Sequence, residues 1–189
     1  MASVQFGLSR PAIDSPNCTF GGFLRTDAHR GGAPGTARLC RMTRVLILNG
    51  PNLGRLGVRE PDVYGAASYA DLVAAGERWG AENGLEVQVR QTDDESELVG
   101  WLHGAVDDGA HVVLNPAAFT HYSYALRDAA AQVTKAGLLL VEVHLSNPAA
   151  REEFRHNSVI GGVATGTVAG FGFDSYRLAV LAIVSRLSD

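Results

Sequence analysis

Short apolar runs alternate along this chain with longer stretches whose apolar residues recur every three to four positions. The first run, Val45-Leu46-Ile47-Leu48, has no polar interruption, as expected of a strand buried on both faces. It predicts a strand over Thr43–Asn49. Ser68 with Asp71 three residues on is an N-cap signature for a helix over Tyr69–Asn83, and Gly84 suits its end. Leu85–Arg90 alternates apolar and polar residues, which predicts a second strand nearer a sheet edge. A helix follows over Glu95–Asp108, with Leu98, Trp101, Leu102 and Ala105 on one stripe and Gly109 closing it. His111–Asn115 predicts a short buried strand. Tyr122–Lys135 predicts a helix capped by Thr120 and ended by Gly137, and Leu138–Val143 a fully apolar fourth strand. Asn147-Pro148 opens a short helix to about Arg155, since Pro is favoured in the first turn. Val163–Ala169 predicts a fifth strand, and a last helix runs from Asp174 or Ser175 to Leu187.

Strand–helix repeats of this kind predict a parallel sheet covered by helices on both faces. Five units suit an α/β, flavodoxin-like, doubly wound five-stranded parallel sheet of order 2-1-3-4-5. Ligands in such sheets sit beyond the carboxyl ends of the strands, near the switch between the first and third. Polar residues gather there: Asn49 and Asn52 after strand one, Asn115 and His121 after strand three, His144 and Ser146 after strand four. Each alone is a weak signal, and their joint placement predicts a site. The stretch Asn49–Gly65, NGPNLGRLGVREPDVYG, is long for a strand-to-helix connection and reads as a lid or binding loop. Within it Arg59 precedes Tyr64 by five residues, and an Arg beside a Tyr lowers the phenol's pKa toward use as a base.

Composition narrows the picture. The chain has 189 residues, 46% of them hydrophobic, enough for one domain with a full core. No apolar run reaches the length of a membrane span, so no membrane partner is expected. The net charge is −4 with no basic block, which argues against nucleic acid. Residues Met1–Arg41 differ from the rest. They carry a net +3, scattered Gly and Pro, and neither a hydrophobic period nor a secretory h-region. They read as an N-terminal extension, disordered or lying upstream of a start at Met42, in preference to a transit peptide. The domain boundaries expected are therefore 1–41 and 42–189. Cys18 and Cys40 both fall in the extension and make no disulfide framework, which favours a reducing compartment, the cytoplasm.

The chemistry is then bounded by what is missing. There is no dinucleotide loop, phosphate-binding loop or nucleophile elbow in the sequence. The first strand ends in Asn rather than an acidic cluster, unlike a receiver domain. His111, His121, His144 and His156 lack metal-ligand spacing, so neither a metal nor a cofactor is expected. His103, His111 and His156 read as surface or packing residues. What remains is acid–base chemistry by Tyr64, His144 and His121, with Asn and Arg as binders. Two other readings of these residues stay open at this level: a binding module for a flavin or an acidic metabolite, and an assembly whose oligomer is its function.

Three segments carry a resemblance: Asn49–Gly65, Leu114–Asp128 (LNPAAFTHYSYALRD) and Glu142–Phe154 (EVHLSNPAAREEF). In this order and without large gaps, they resemble the type II 3-dehydroquinate dehydratases. The likeness runs from about Arg44 to the C-terminus and leaves the extension out. It implies reversible anti dehydration of 3-dehydroquinate to 3-dehydroshikimate through an enolate, with neither metal nor covalent intermediate, in the shikimate pathway or in quinate breakdown. Tyr64 falls on the general base and Arg59 on the residue that makes the phenol usable. Free Tyr titrates near ~10, and a neighbouring Arg lowers this by roughly 1–3 units. Asn52 falls on the residue that holds a water against the enolate oxygen, an oxyanion-type contact worth on the order of 3 kcal/mol. His144 falls on the general acid, and Glu142, one strand period away, is placed to orient it.

The resemblance also assigns binding residues. Leu145 and Ser146 match contacts to the substrate carboxylate, just before an expected helix N-terminus. Asn115 matches another carboxylate or hydroxyl contact, and His121 and Arg155 contacts to ring hydroxyls. Asp128 matches a residue that reaches a neighbouring subunit's site, which implies a homo-oligomer, the family's trimers packing as dodecamers. Departures from the family pattern are Thr92 for Ser, Asp93-Asp94 for Asn-His, Pro116-Ala117 after Asn115, and His156-Asn157 after Arg155. They bear on assembly and affinity rather than on base or acid.

Overall fold

Alternate residues of β1 (Thr43–Asn49) bury themselves in opposite directions, and this single strand seeds both cores. Val45 and Ile47 join one apolar layer, Leu46 and Leu48 the other. The structure, a computed structural model, describes residues 42–57 and 67–189. The extension expected over 1–41, and with it Arg59 and Tyr64, lies outside the described residues.

The other strands are β2 (Leu85–Gln91), β3 (His111–Asn115), β4 (Leu140–His144) and β5 (Gly166–Ala169). All pair in parallel, in the order β2-β1-β3-β4-β5 that the strand–helix alternation predicts. Helices α1 (Tyr69–Glu82) and α4 (Asp174–Ser188) cover one face, with Leu72, Trp79, Tyr176 and Ile183 against Val113, Val141 and Val143. Helices α2 (Glu95–Asp108) and α3 (Tyr124–Lys135) cover the other, with Leu98, Leu102, Leu126 and Val133 against Val112, Leu114 and Leu140. Each of these fully buried Leu side chains contributes about 1.5–3 kcal/mol. Among the described residues no helix is long and apolar enough to cross a membrane.

Local chemistry explains the boundaries. Ser68 and Asp71 form a reciprocal capping box at the start of α1. Asp94 caps α2 through the Ser96 and Glu97 amides, and Gly109 ends it in the left-handed conformation. Where α1 crosses β2, a Cβ on Gly80 would lie 2.6 Å from the Val87 side chain, so glycine sets the closeness of that packing.

Four expected elements differ. Helix α3 starts at Tyr124, not Tyr122, because Ser123 caps it through the Leu126 amide while the Thr120 hydroxyl is drawn into the protein. The chain before it, Ala117–His121, is a 3-10 turn. β4 begins at Leu140 because the His111 ring takes the Leu139 N–H, and β5 is shortened by turns at Val163 and Ala164. The helix expected after Asn147 is instead two 3-10 turns, Pro148–Ala150 and Glu153–His156, separated where Arg151 turns extended.

Candidate active site

The carboxyl ends of β1, β3 and β4 open onto a cleft of about 170 Å³. The sequence placed polar groups at these strand ends, and the fold brings most of them together. Asn52, Asn115, His121, His144, Leu145, Ser146 and Arg155 all line the cleft. Asp128 does not: it lies exposed on α3, its carboxylate 3.0 Å from the Arg127 guanidinium. Arg59 and Tyr64 fall outside the described residues. Asn49, expected at the rim, turns inward and is fully buried.

His144 ends β4, and its partner comes from the same strand face two residues earlier, a placement that follows from the strand period. Nε2 of His144 lies 2.8 Å from Glu142 Oε1. Glu142 is wholly buried, a placement that is unfavourable for a carboxylate unless it is bonded. Thr120 Oγ1 donates to Oε1 at 2.5 Å, and Ser158 Oγ lies 3.0 Å from Oε2. Burial works to raise the Glu142 pKa, but the bonds from His144, Thr120 and Ser158 and the imidazole's charge outweigh it and hold the carboxyl below its ordinary value. An ionised Glu142 only accepts, so His144 Nε2 carries the proton and Nδ1 is the nitrogen left for a ligand.

His121 is oriented in the same manner. Its Nδ1 lies 2.8 Å from the Asn157 carbonyl, which can only accept, so Nε2 is left toward the cleft. Its ring packs edge-to-face on Phe154, whose other partner is the Arg155 guanidinium at 4.7 Å. Arg155 donates from Nε to Glu152 at 2.6 Å, and that bond holds the Glu152 carboxyl down to about 2.

Asn52 adopts φ 69°, a left-handed conformation that Asn tolerates better than most residues. Its backbone N–H donates to Asp93 Oδ1 at 2.8 Å, and Gln91 donates to the same oxygen. The Asp93-Asp94 pair thus holds the loop that carries Asn52 and caps α2, nearer the cleft than the sequence reading had it.

The cleft is cationic. Besides Arg155, Arg55 and Arg151 line it, and Arg151 Nη1 donates to Ser146 Oγ at 3.3 Å. Because the chain after Asn147 forms only short turns, guanidinium groups rather than a helix dipole supply the positive charge. Arg151 was not singled out from the sequence, and only its position four residues after Asn147 could have pointed to it. Thr120 and Ser158 were missed as well, for no motif marks two hydroxyls that meet a carboxylate from distant segments.

Fold and cleft together define a doubly wound α/β protein with an imidazole–carboxylate pair and a cationic wall at its switch point. Comparison with known proteins carries this further. The model of the family Dehydroquinase class II matches residues 43–184. A 3-dehydroquinate dehydratase of Salinispora tropica is 61% identical over 143 residues, spanning 76% of this chain and 98% of the relative. One from Kineococcus radiotolerans is 56% identical over 144 residues, spanning 76% and 97%. The crystal structure of the type II dehydroquinase from Propionibacterium acnes superposes with a TM-score of 0.73 at 50% identity, covering 76% of this chain and 98% of that one. The chain belongs to the class II dehydroquinase family.

Proposed function

We propose that this protein is a type II 3-dehydroquinate dehydratase of the shikimate pathway, acting by acid–base chemistry with Tyr64 as base and His144 as acid. The Tyr64 phenolate, made usable by Arg59, takes the proton from the carbon beside the substrate ketone. The electrons pass into an enolate, whose oxygen is stabilised by a water held by Asn52. Collapse of the enolate expels the β-hydroxyl as His144 protonates it, and water and the conjugated enone are the products. Leu145, Ser146 and Asn115 hold the carboxylate and adjoining hydroxyls, with His121 and Arg155 on the ring hydroxyls. Asp128, turned away from the cleft of its own chain, serves the site of a neighbouring subunit in a homo-oligomer, the trimer of a dodecamer, in the cytoplasm.

The observation that supports this reading best is the bond from His144 to a buried, ionised Glu142. It fixes the ring's tautomer and places a negative charge where an imidazolium can form, as a general acid requires. The cationic and amide-lined wall suits a small polyhydroxylated acid. The test is ultraviolet absorbance of the enone when dehydroquinate is added. Tyr64→Phe is expected to abolish turnover while substrate still binds. Turnover at the wild-type rate in that variant removes Tyr64 as the base.

A further inference from the structure

Behind the cleft, three side chains from separate elements form a buried chain of hydrogen bonds with one polarity. Asn49 Nδ2, at the end of β1, donates to the Arg90 carbonyl of β2 at 3.0 Å. This leaves Asn49 Oδ1 as an acceptor, and the Tyr176 hydroxyl of α4 donates to it at 2.6 Å. The Tyr176 oxygen, its proton committed, accepts from Asn115 Nδ2 at 2.7 Å. At the far end Asn115 Oδ1 accepts from the Ala117 N–H at 3.2 Å. Two independent groups, a β2 carbonyl and a backbone amide in the β3 turn, therefore demand the same orientation of the Asn115 amide. Flipping it would set donor against donor at Ala117 and oxygen against oxygen at Tyr176.

Tyr176 is wholly buried and does not line the cleft, whereas Asn115 does. We propose that Tyr176 is a positioning residue: its hydroxyl locks the Asn115 amide so that the remaining Nδ2 proton is offered to the substrate. Burial pushes the Tyr176 phenol well above its ordinary value, so the hydroxyl keeps its proton and the chain keeps its direction at every pH the enzyme meets. Without the hydroxyl, the orientation would rest on the longer bond from the Ala117 N–H at 3.2 Å, and a ligand would have to supply part of the ordering.

This inference rests on the dehydratase reading, and a double-mutant cycle on the full chain separates the two. Tyr176→Phe removes the hydroxyl and keeps the ring. It is expected to raise KM for dehydroquinate about tenfold, the worth of one hydrogen bond, with kcat changed far less. Asn115→Ala is expected to raise KM on its own, and the double variant to add nothing to it, because Tyr176 acts only through that amide. Melting of each variant is followed in parallel. Should Tyr176→Phe not fold, Asn49→Ala carries the same test, since it takes away the acceptor that commits the Tyr176 proton and so removes the direction of the chain at Asn115 Nδ2. A folded Tyr176→Phe with wild-type KM, or KM losses that multiply in the double variant, overturns the proposal. A wild-type protein that does not dehydrate dehydroquinate overturns instead the reading on which it rests.

Discussion

Thr120→Val tests the buried carboxylate beneath His144. The substitution keeps the side chain's shape and deletes one hydroxyl, in a residue that is 1% exposed. That hydroxyl donates to Glu142 Oε1, the same oxygen that faces His144 Nε2. A hydrogen bond to a charged acceptor is worth about 1.5–3 kcal/mol. Ser158 remains within reach of both Glu142 oxygens, so the carboxylate is not left bare and the lower part of that range applies. We expect a loss near ~2 kcal/mol at pH 7, and a fall in Tm of roughly 4–8 °C for a domain of this size. The pH dependence has a definite sign. The Glu142 pKa is lower folded than unfolded, so its stabilisation is present above about pH 4.5 and is lost as pH falls toward the folded value. Thr120 supplies part of that lowering, so the gap between wild type and variant narrows in acid. Urea unfolding at pH 7 and at pH 4 measures it, with kcat expected to fall more than KM rises. A gap below ~0.5 kcal/mol at pH 7, or one that is unchanged in acid, refutes a Thr120 hydroxyl bound to an ionised Glu142.

Two further predictions use other parts of the molecule. Gly50 sits where β1 passes the turn after β3, and an added Cβ would lie 2.7 Å from the Pro116 carbonyl oxygen. Gly50→Ala is expected to cost about 1–3 kcal/mol and to raise KM by parting the strand ends that carry Asn49 and Asn115, and unchanged melting and KM would contradict it. His111 is buried, its Nδ1 accepts the Leu139 N–H at 3.0 Å, and burial pulls its pKa down. The unfolded chain therefore takes up this proton first, and stability falls as pH drops below about 6.5. In His111→Phe, expected to lose about 1–3 kcal/mol at pH 7.5 by leaving the Leu139 amide unpaired, the difference from wild type narrows toward pH 5.5, and parallel curves would exclude the bond.

How far the sequence reaches depends on the range of the signal. Sheet order was legible because β1 and β3 are continuous apolar runs and each connection holds one periodic helix. The bounds of α2 were legible to the residue, since the helix ends at a left-handed Gly109 and starts beyond a capping Asp94. Strand ends pointed to the cleft, and of the residues the three long motifs singled out, Asn52, Asn115, His121, His144, Leu145, Ser146 and Arg155 line it. Misread were choices between partners distant in sequence. Thr120 offered a local cap, yet its hydroxyl binds Glu142 while Ser123 takes the cap. Asn49 and Asn115 both end strands and pair in register, yet only Asn115 faces the cleft. Both bond the hydroxyl of Tyr176, far along the chain in a last helix of which the sequence predicted only the bounds. Likewise, periodicity could not reveal that the residues after Asn147 break at Arg151.

The site's two halves are built differently, and this bears on the proposed chemistry. His144, Asn115 and Ser146 stand at the ends of strands, and bonds to buried groups hold the first two. The proposed base, Tyr64, lies outside the described residues, and the described residues on either side of the segment 58–66 are anchored to the core. On one side Leu53 and Leu56 are buried against the layer that holds α1 and α4, and Asp93 takes the Asn52 amide. On the other, the Ser68–Asp71 capping box fixes the first turn of α1. On the proposed reading, the groups that hold the acid stand at described strand ends, and the base comes from a different segment of the chain. Substrate binding and proton abstraction are then separable, which is why removing the Tyr64 hydroxyl should suppress turnover yet leave affinity, whereas loosening Asn115 should weaken affinity before it slows the chemistry.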